Sequence, residues 1–132
     1  MDRAVDTSSI SPLRMAKVAH DAVALMKALS SEHRLLILCH LISQDEMPVN
    51  ELVSKIGLSQ SALSQHLAKL RAEGLVTFRR EAQTLFYRVS DDRAANVLLL
   101  LQELFCQTSN GVLRKSRMAP RRQPRNKSAR GV

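Results

Sequence analysis

The sequence predicts a mainly α domain carrying one β-hairpin. Three observations predict it: aliphatic residues recur at helical spacing through most of the chain, aromatic residues make up only 3% of it, and two short β-branched and aromatic runs stand side by side in its second half. A chain of 132 residues with 45% hydrophobic content fits one domain with a modest core. With no Trp, that core has to be built from Leu, Val, Ile, Ala and Met, which suits packed helices better than a β-sandwich.

The elements follow in order. Residues 1–11 open with a polar stretch and are expected to be a flexible N-terminus. Met15, Val18, Ala19, Ala22, Leu25, Met26 and Leu29 then mark a first helix. Ser30, Ser31 and Glu32 offer N-caps and an early carboxylate ahead of Leu35, Leu36, Leu38, Cys39 and Ile42, a second helix from about Glu32 to Ser43. After the polar break Gln44-Asp45-Glu46, Pro48 suits the first turn of a short third helix, whose Val49, Leu52, Val53 and Ile56 end at Gly57. Ser59 caps a fourth helix with Leu63, Leu67 and Leu70 on one side, stopping near Gly74. Leu75 to Arg80 and Leu85 to Val89, separated by Glu81 to Thr84, read as a hairpin. Ser90, Asp91 and Asp92 cap a last helix whose Ala95, Val97 to Leu101, Leu104 and Phe105 form a surface too wide for one core, so one flank is expected to meet a second subunit. Helix, glycine-containing turn, helix, then hairpin is a winged helix-turn-helix of about five helices plus a two-stranded wing, homodimeric, over residues 12–109.

The net charge of +8 is distributed unevenly. Residues 1–109 carry twelve Lys/Arg against all twelve Asp/Glu, while the other eight basic residues lie in 110–132, which holds no acid. That segment is expected to be a disordered basic tail, and nucleic-acid binding by the folded part needs separate support. No apolar run reaches the roughly 18 residues of a membrane span, and no secretory signal opens the chain, so a cytoplasmic protein without membrane contact is expected. In that compartment Cys39 and Cys106 are expected to be reduced thiols, which leaves core packing, metal binding or redox chemistry for them.

The fourth helix turns Ser59, Gln60, Ser61, Ser64, Gln65, His66, Lys69 and Arg71 away from its leucines. Gln can bond bidentately to adenine, Ser can serve phosphates or base edges, Lys and Arg supply phosphate contacts, and the helix N-terminus adds its own positive end. Such a face is also what an ordinary solvated helix looks like. Its position favours DNA, because a hairpin with Arg79, Arg80, Gln83 and Arg88 around its tip follows directly and can reach the flanking backbone or minor groove.

The stretches "MKALSSEHRLLIL", "NELVSKIGLSQSALSQHLAKLRAEGLV" and "RREAQTLFYRVS" resemble the ArsR/SmtB family of winged-helix repressors, over roughly residues 20–108. The S-x-S-x-x-S-x-H-L-x-x-L core is similar to that family's recognition helix. The resemblance implies a homodimer paired through the first and last helices and bound to an inverted-repeat operator in double-stranded DNA. The family's usual His-Pro before the second helix is replaced here by Ser31-Glu32.

Many members of the family bind metals, which takes several Cys, His or carboxylate ligands converging on one point. Where a Cys-x-Cys type site would fall this chain has Pro48, Val49 and Asn50, and the only early acids of the last helix are Asp91 and Asp92. His20, His33, His40 and His66 form no recognisable ligand pair and read as surface or capping residues, so no metal and no cofactor is expected. Read from the residues alone, Cys39 and Cys106 are core: cysteine is among the most buried types, apolar neighbours such as Leu35, Leu36 and Phe105 surround them, and a helix C-terminus disfavours a thiolate at Cys106. Their placement in "LLILCHL" and "ELFC", and "AQTLFY" in the wing, resemble the persulfide-responsive branch of the family, the biofilm-growth and sulfide-detoxification repressors. That resemblance implies a redox pair, bridged by a disulfide or polysulfide when reactive sulfur species arrive, with release of DNA. No Cys-x-x-Cys, phosphate loop or nucleophile–base motif supports an enzyme. Two further readings stay open: a repressor with no cysteine switch, or with a metal or another inducer, and a winged-helix module that binds protein or RNA.

Overall fold

The computed structural model describes residues 5–110, with side chains as far as Cys106. The predicted basic tail lies outside the described residues from 111 onwards. Five helices and three strands follow one another as α1 (Pro12–Leu29), α2 (Glu32–Gln44), β1 (Met47–Pro48), α3 (Val49–Ile56), α4 (Gln60–Ala72), β2 (Val76–Glu81), β3 (Thr84–Val89) and α5 (Asp92–Asn110). The starts of α1, α2 and α4 are set by serine caps. Ser11, Ser31 and Ser59 each accept a bond from the backbone N–H three residues on, at 3.2, 3.3 and 3.1 Å, satisfying a donor that the first turn leaves unpaired. Gly57 ends α3 with φ of +85°, a left-handed cap that costs a residue with a Cβ more than glycine.

The expected two-stranded wing is present as β2 and β3, and a third strand joins it. The sheet is three-stranded and antiparallel in the order β1-β3-β2, because Met47 and Pro48 pair with Tyr87 and Phe86. Pro48, expected inside the first turn of the third helix, instead precedes it as its N-cap, extended at φ −75° and ψ 156°. A proline has no N–H to give a ladder, so the outer edge of a sheet is where it fits. The hairpin is also tighter than expected: Glu81 pairs with Thr84, leaving only Ala82 and Gln83 in the turn, and Ala82 takes φ of +56°. Positive φ at a central residue matches the twist of a two-residue hairpin loop.

The core is aliphatic. Ile37, Leu38 and Leu41 of α2, Met47, Leu52 of α3, Leu63, Leu67 and Leu70 of α4, and Val76 are fully buried, and Tyr87, Ala94 and Leu98 close it. Each such leucine contributes roughly 1.5–3 kcal/mol by leaving water. α2 lies at the centre, packed on α1, α3, α4, α5 and the sheet. α1 is held by Ala28 and Leu29, with Leu25 half-buried against the core, while Met15, Val18 and Met26 on the same helix stay exposed. α5 buries Ala94 and Leu98 and leaves Leu99, Leu100, Leu104 and Phe105 outside. Among the described residues, no helix is long and apolar enough to cross a membrane.

Candidate nucleic-acid interface and thiol pair

Because Leu63, Leu67 and Leu70 hold one side of α4 in the core, helical geometry turns the opposite side outwards. Gln60, Ser61, Ser64, Gln65, Lys69 and Arg71 are exposed there, and Ser59 sits at the start of the helix, its hydroxyl spent on capping Ala62 N–H. His66 departs from the group. It is half-buried on the flank of the leucine stripe, its ring 5.8 Å from that of His33 at the start of α2. Removal from water, with Arg34, His33 and Lys69 nearby, pushes the His66 imidazole below its ordinary pKa.

The other flank of α4 meets the wing. The Arg71 guanidinium lies over the Phe78 ring at 4.3 Å, and Phe78 in turn packs on Tyr87 at 5.2 Å. A stacked guanidinium keeps its in-plane donors for other work, so Arg71 can hold the wing and still offer N–H groups outwards.

Arg80, Gln83 and Arg88 are exposed around the wing. Arg79 is not free in the same way. Its Nη2 donates to Glu46 Oε1 at 2.6 Å, its Nε to both Glu46 oxygens at 3.1 Å, and its Nη1 to Glu81 at 2.8 Å, while its plane lies 4.5 Å over Phe86. Those bonds hold the Glu46 carboxyl below the usual carboxylate range and push Arg79 further up. Arg79 therefore fixes the wing to the turn before β1, a positioning role that the sequence reading did not separate from DNA contact. The partner is 33 positions away, and nothing local announces it.

Both cysteines are exposed, and neither belongs to the core cluster. The expectation of two packed core thiols is corrected on this point: of the apolar neighbours, Leu35 packs on the core, but Leu36 and Phe105 are 49% and 70% exposed. The helices around Cys39 remove enough water to raise its thiol pKa although the residue retains solvent access, and Cys106 adds to the rise. Cys39 lies on α2 and Cys106 on α5, two helices that pack against one another. Among the described residues, no group of three or more His, Cys, Asp or Glu side chains is placed to hold a metal ion.

The chain's similarities agree with this architecture. The model of the bacterial regulatory proteins of the arsR family matches residues 31–77. The transcriptional activator HlyU of Vibrio cholerae is 50% identical over 95 residues, 72% of this chain and 87% of that protein. A biofilm growth-associated repressor of Agrobacterium fabrum is 38% identical over 80% of this chain and 90% of its own length. The crystal structure of the transcriptional repressor BigR from Xylella fastidiosa superposes with a TM-score of 0.70 at 37% identity, over 74% of this chain and 98% of that one. With a cap-defined helix-turn-helix, a wing beside it and relatives of this closeness, the chain belongs to the arsR family of winged-helix, DNA-binding regulators of transcription.

Proposed function

We propose that the chain is a homodimeric repressor that reads an inverted-repeat operator through α4 and the wing, and that bridging of Cys39 and Cys106 by reactive sulfur species releases it. In this reading Ser61, Ser64 and Gln65 meet base edges in the major groove. Gln60, Lys69, Arg71, Arg80, Gln83 and Arg88 reach phosphates or the flanking groove, and the N-terminus of α4, tightened by Ser59, adds backbone donors. His66 lies at the edge of this surface, and Arg79 keeps the wing in place. The exposed apolar faces of α1 and α5 supply the dimer contact, since Met26, Leu99 and Leu104 stand open to solvent among the described residues.

The thiol part of the reading is carried by one observation: two solvent-reachable cysteines, far apart in sequence, lie on α2 and α5, which pack against one another. With a low-molecular-weight persulfide RSSH as oxidant, one protein thiol takes the outer sulfur and RSH leaves. The second thiol then attacks the new protein persulfide at the sulfur attached to Cβ, the intramolecular disulfide forms, and hydrogen sulfide departs. Two protein S–H bonds are lost, and the two electrons reside in the RSH and hydrogen sulfide released. Transfer of a further sulfur before closure gives a polysulfide bridge.

A bridge between α2 and α5 ties the central helix to the dimerising one. α2 also packs on α3 and α4, so a shift of α2 against α5 reaches both helices of the helix-turn-helix and the dimer axis together. Half-sites one turn apart are about 34 Å distant, so a small rotation misplaces both reading helices. A coupling of about 1–3 kcal/mol lowers affinity roughly five- to 150-fold. The test is to treat the reduced protein on its operator with a persulfide donor and follow DNA release and intact mass together. Release in step with loss of two hydrogens, with or without added sulfur atoms, supports the reading; release with both thiols still free contradicts it. Because one close relative is named an activator, a second reading has the same DNA contact raising transcription, and a reporter with and without the chain distinguishes the two.

A further inference from the structure

The two flanks of α4 are built differently. The wing flank carries Arg71 stacked on Phe78, and its neighbour Arg79 is neutralised by Glu46 and Glu81. The opposite flank meets the first turn of α2, and there positive and ionisable groups gather: His33 and Arg34 from α2, His66 and Lys69 from α4. The groups acting on His66 are Arg34, His33 and Lys69, none of them an acid. The other charged groups on the elements packed against α4 are Glu32 of α2, Glu51 and Lys55 of α3, and Arg79, Arg80 and Glu81 of β2, with Arg71 on α4 itself. Arg34 adds an unused donor. Its Nη1 reaches Ala28 O at 3.4 Å, while its Nε is buried with no partner among the described residues.

We propose that His33, Arg34, His66 and Lys69 form a contact for a backbone phosphate at the edge of the groove entered by α4, and that DNA binding is accompanied by proton uptake at the His33–His66 pair. This rests on the reading of α4 as the recognition helix.

The physical reasons are three. A helix in the major groove is bordered by sugar-phosphate backbone on both sides, so the flank of α4 away from the wing faces phosphates as the wing side does. The α2 N-terminus contributes the positive end of a 13-residue helix to the same spot, and Arg34 and Lys69 bring full charges. Finally, the His66 ring lies 5.8 Å from that of His33, with Arg34 and Lys69 nearby, surroundings that keep a proton off His66 in the free protein and favour one there once an anion arrives. A metal cation suits the cluster poorly, because Arg34 and Lys69 oppose it and no third donor converges there.

The sign follows from linkage. In the free protein the His66 imidazole is held below its ordinary value, so at neutral pH it is uncharged. A phosphate brought against it raises that value in the complex, so the complex binds more protons than the free protein. Affinity for DNA therefore rises as pH falls through the window between the two values. It is flat above the complex's value and flat again below the free protein's. The slope cannot exceed about tenfold per pH unit for each proton taken up.

The experiment uses the reduced full chain and a short random-sequence duplex, since phosphate contacts do not depend on sequence, at a fixed salt of about 0.1 M. From about pH 8 to about pH 6 the parent is expected to bind roughly three- to tenfold more tightly. The His33→Gln/His66→Gln protein should show a flattened profile whatever its absolute affinity, its His20 and His40 serving as internal controls. A second measurement needs no variant: NMR titration of the imidazole resonances of the parent, free and saturated with duplex, should show His33 or His66 titrating at higher pH in the complex. Equal pH profiles for parent and variant, or imidazole values unmoved by DNA, overturn the proposal. If no duplex binds at any pH, the reading of α4 as a DNA-contacting helix falls first and takes this contact with it, an outcome distinct from binding without pH coupling.

Discussion

The reading half of the molecule and the half that carries the cysteines solve opposite problems. Around α4 and the wing, one chain supplies its own partners: Arg71 has Phe78, Arg79 has Glu46, Glu81 and Phe86, and the leucines of α4 are sealed in the core. Along α1 and the outer side of α5, large apolar side chains stand in water among the described residues, Met26 at 67% exposure and Leu104 at 56%. The first region is preorganised before it meets a ligand. The second keeps apolar side chains exposed, the face the proposed dimer would cover. The thiols lie in the second region, so under the proposed function chemistry at Cys39 and Cys106 would act at the subunit contact rather than where bases are read.

The largest effect should come from breaking the unfinished half. Leu104→Glu with Phe105→Glu places two charges on the exposed flank of α5 without touching Ala94 or Leu98 in the core. The expected result is a folded monomer by light scattering and a loss of operator affinity of roughly 100-fold or more, because two linked half-site contacts become one. A dimer that survives both charges would show that another face pairs the subunits. A smaller effect is expected from the reading half. Gln65→Ala leaves the fold intact, since Gln65 is exposed, and should cost about 1–3 kcal/mol of discrimination at one base position without altering the salt dependence. A uniform loss across all sequences would instead make Gln65 a backbone contact. The smallest effect tests the preorganisation itself: Arg71→Ala removes the stack on Phe78, and thermal unfolding should report a loss of about 0.5–1 kcal/mol.

Much of the reading half was legible in the sequence because its rules are local. Ser31 and Ser59 announce α2 and α4 through one bond three residues on, Gly57 announces the end of α3, and the spacing of Leu63, Leu67 and Leu70 gives the buried side of α4 and hence its exposed one. β1 was not legible, since two residues ending in a proline carry no strand signal of their own, and only pairing with Phe86 and Tyr87 makes them one. The pairs Arg79–Glu46 and His33–His66 were hidden for a related reason: each joins residues 33 positions apart, brought together by packing and not by periodicity. The cysteines were misplaced through composition. Apolar neighbours suggested an interior, but of these only Leu35 packs on the core, while Leu36 and the cysteines themselves are exposed.

The central claim, that bridging two thiols in the unfinished half releases the reading half, is tested most directly with single-cysteine proteins. Either Cys39→Ser or Cys106→Ser removes the partner needed for the bridge, and exposure of both sites leaves the hydroxyl access to water, so little destabilisation is expected. Bound to operator DNA and treated with a persulfide donor, the parent should dissociate with a fall in affinity of roughly five- to 150-fold, and both variants should stay bound. Release of either variant as readily as the parent would contradict the account, because a lone modified thiol cannot tie α2 to α5.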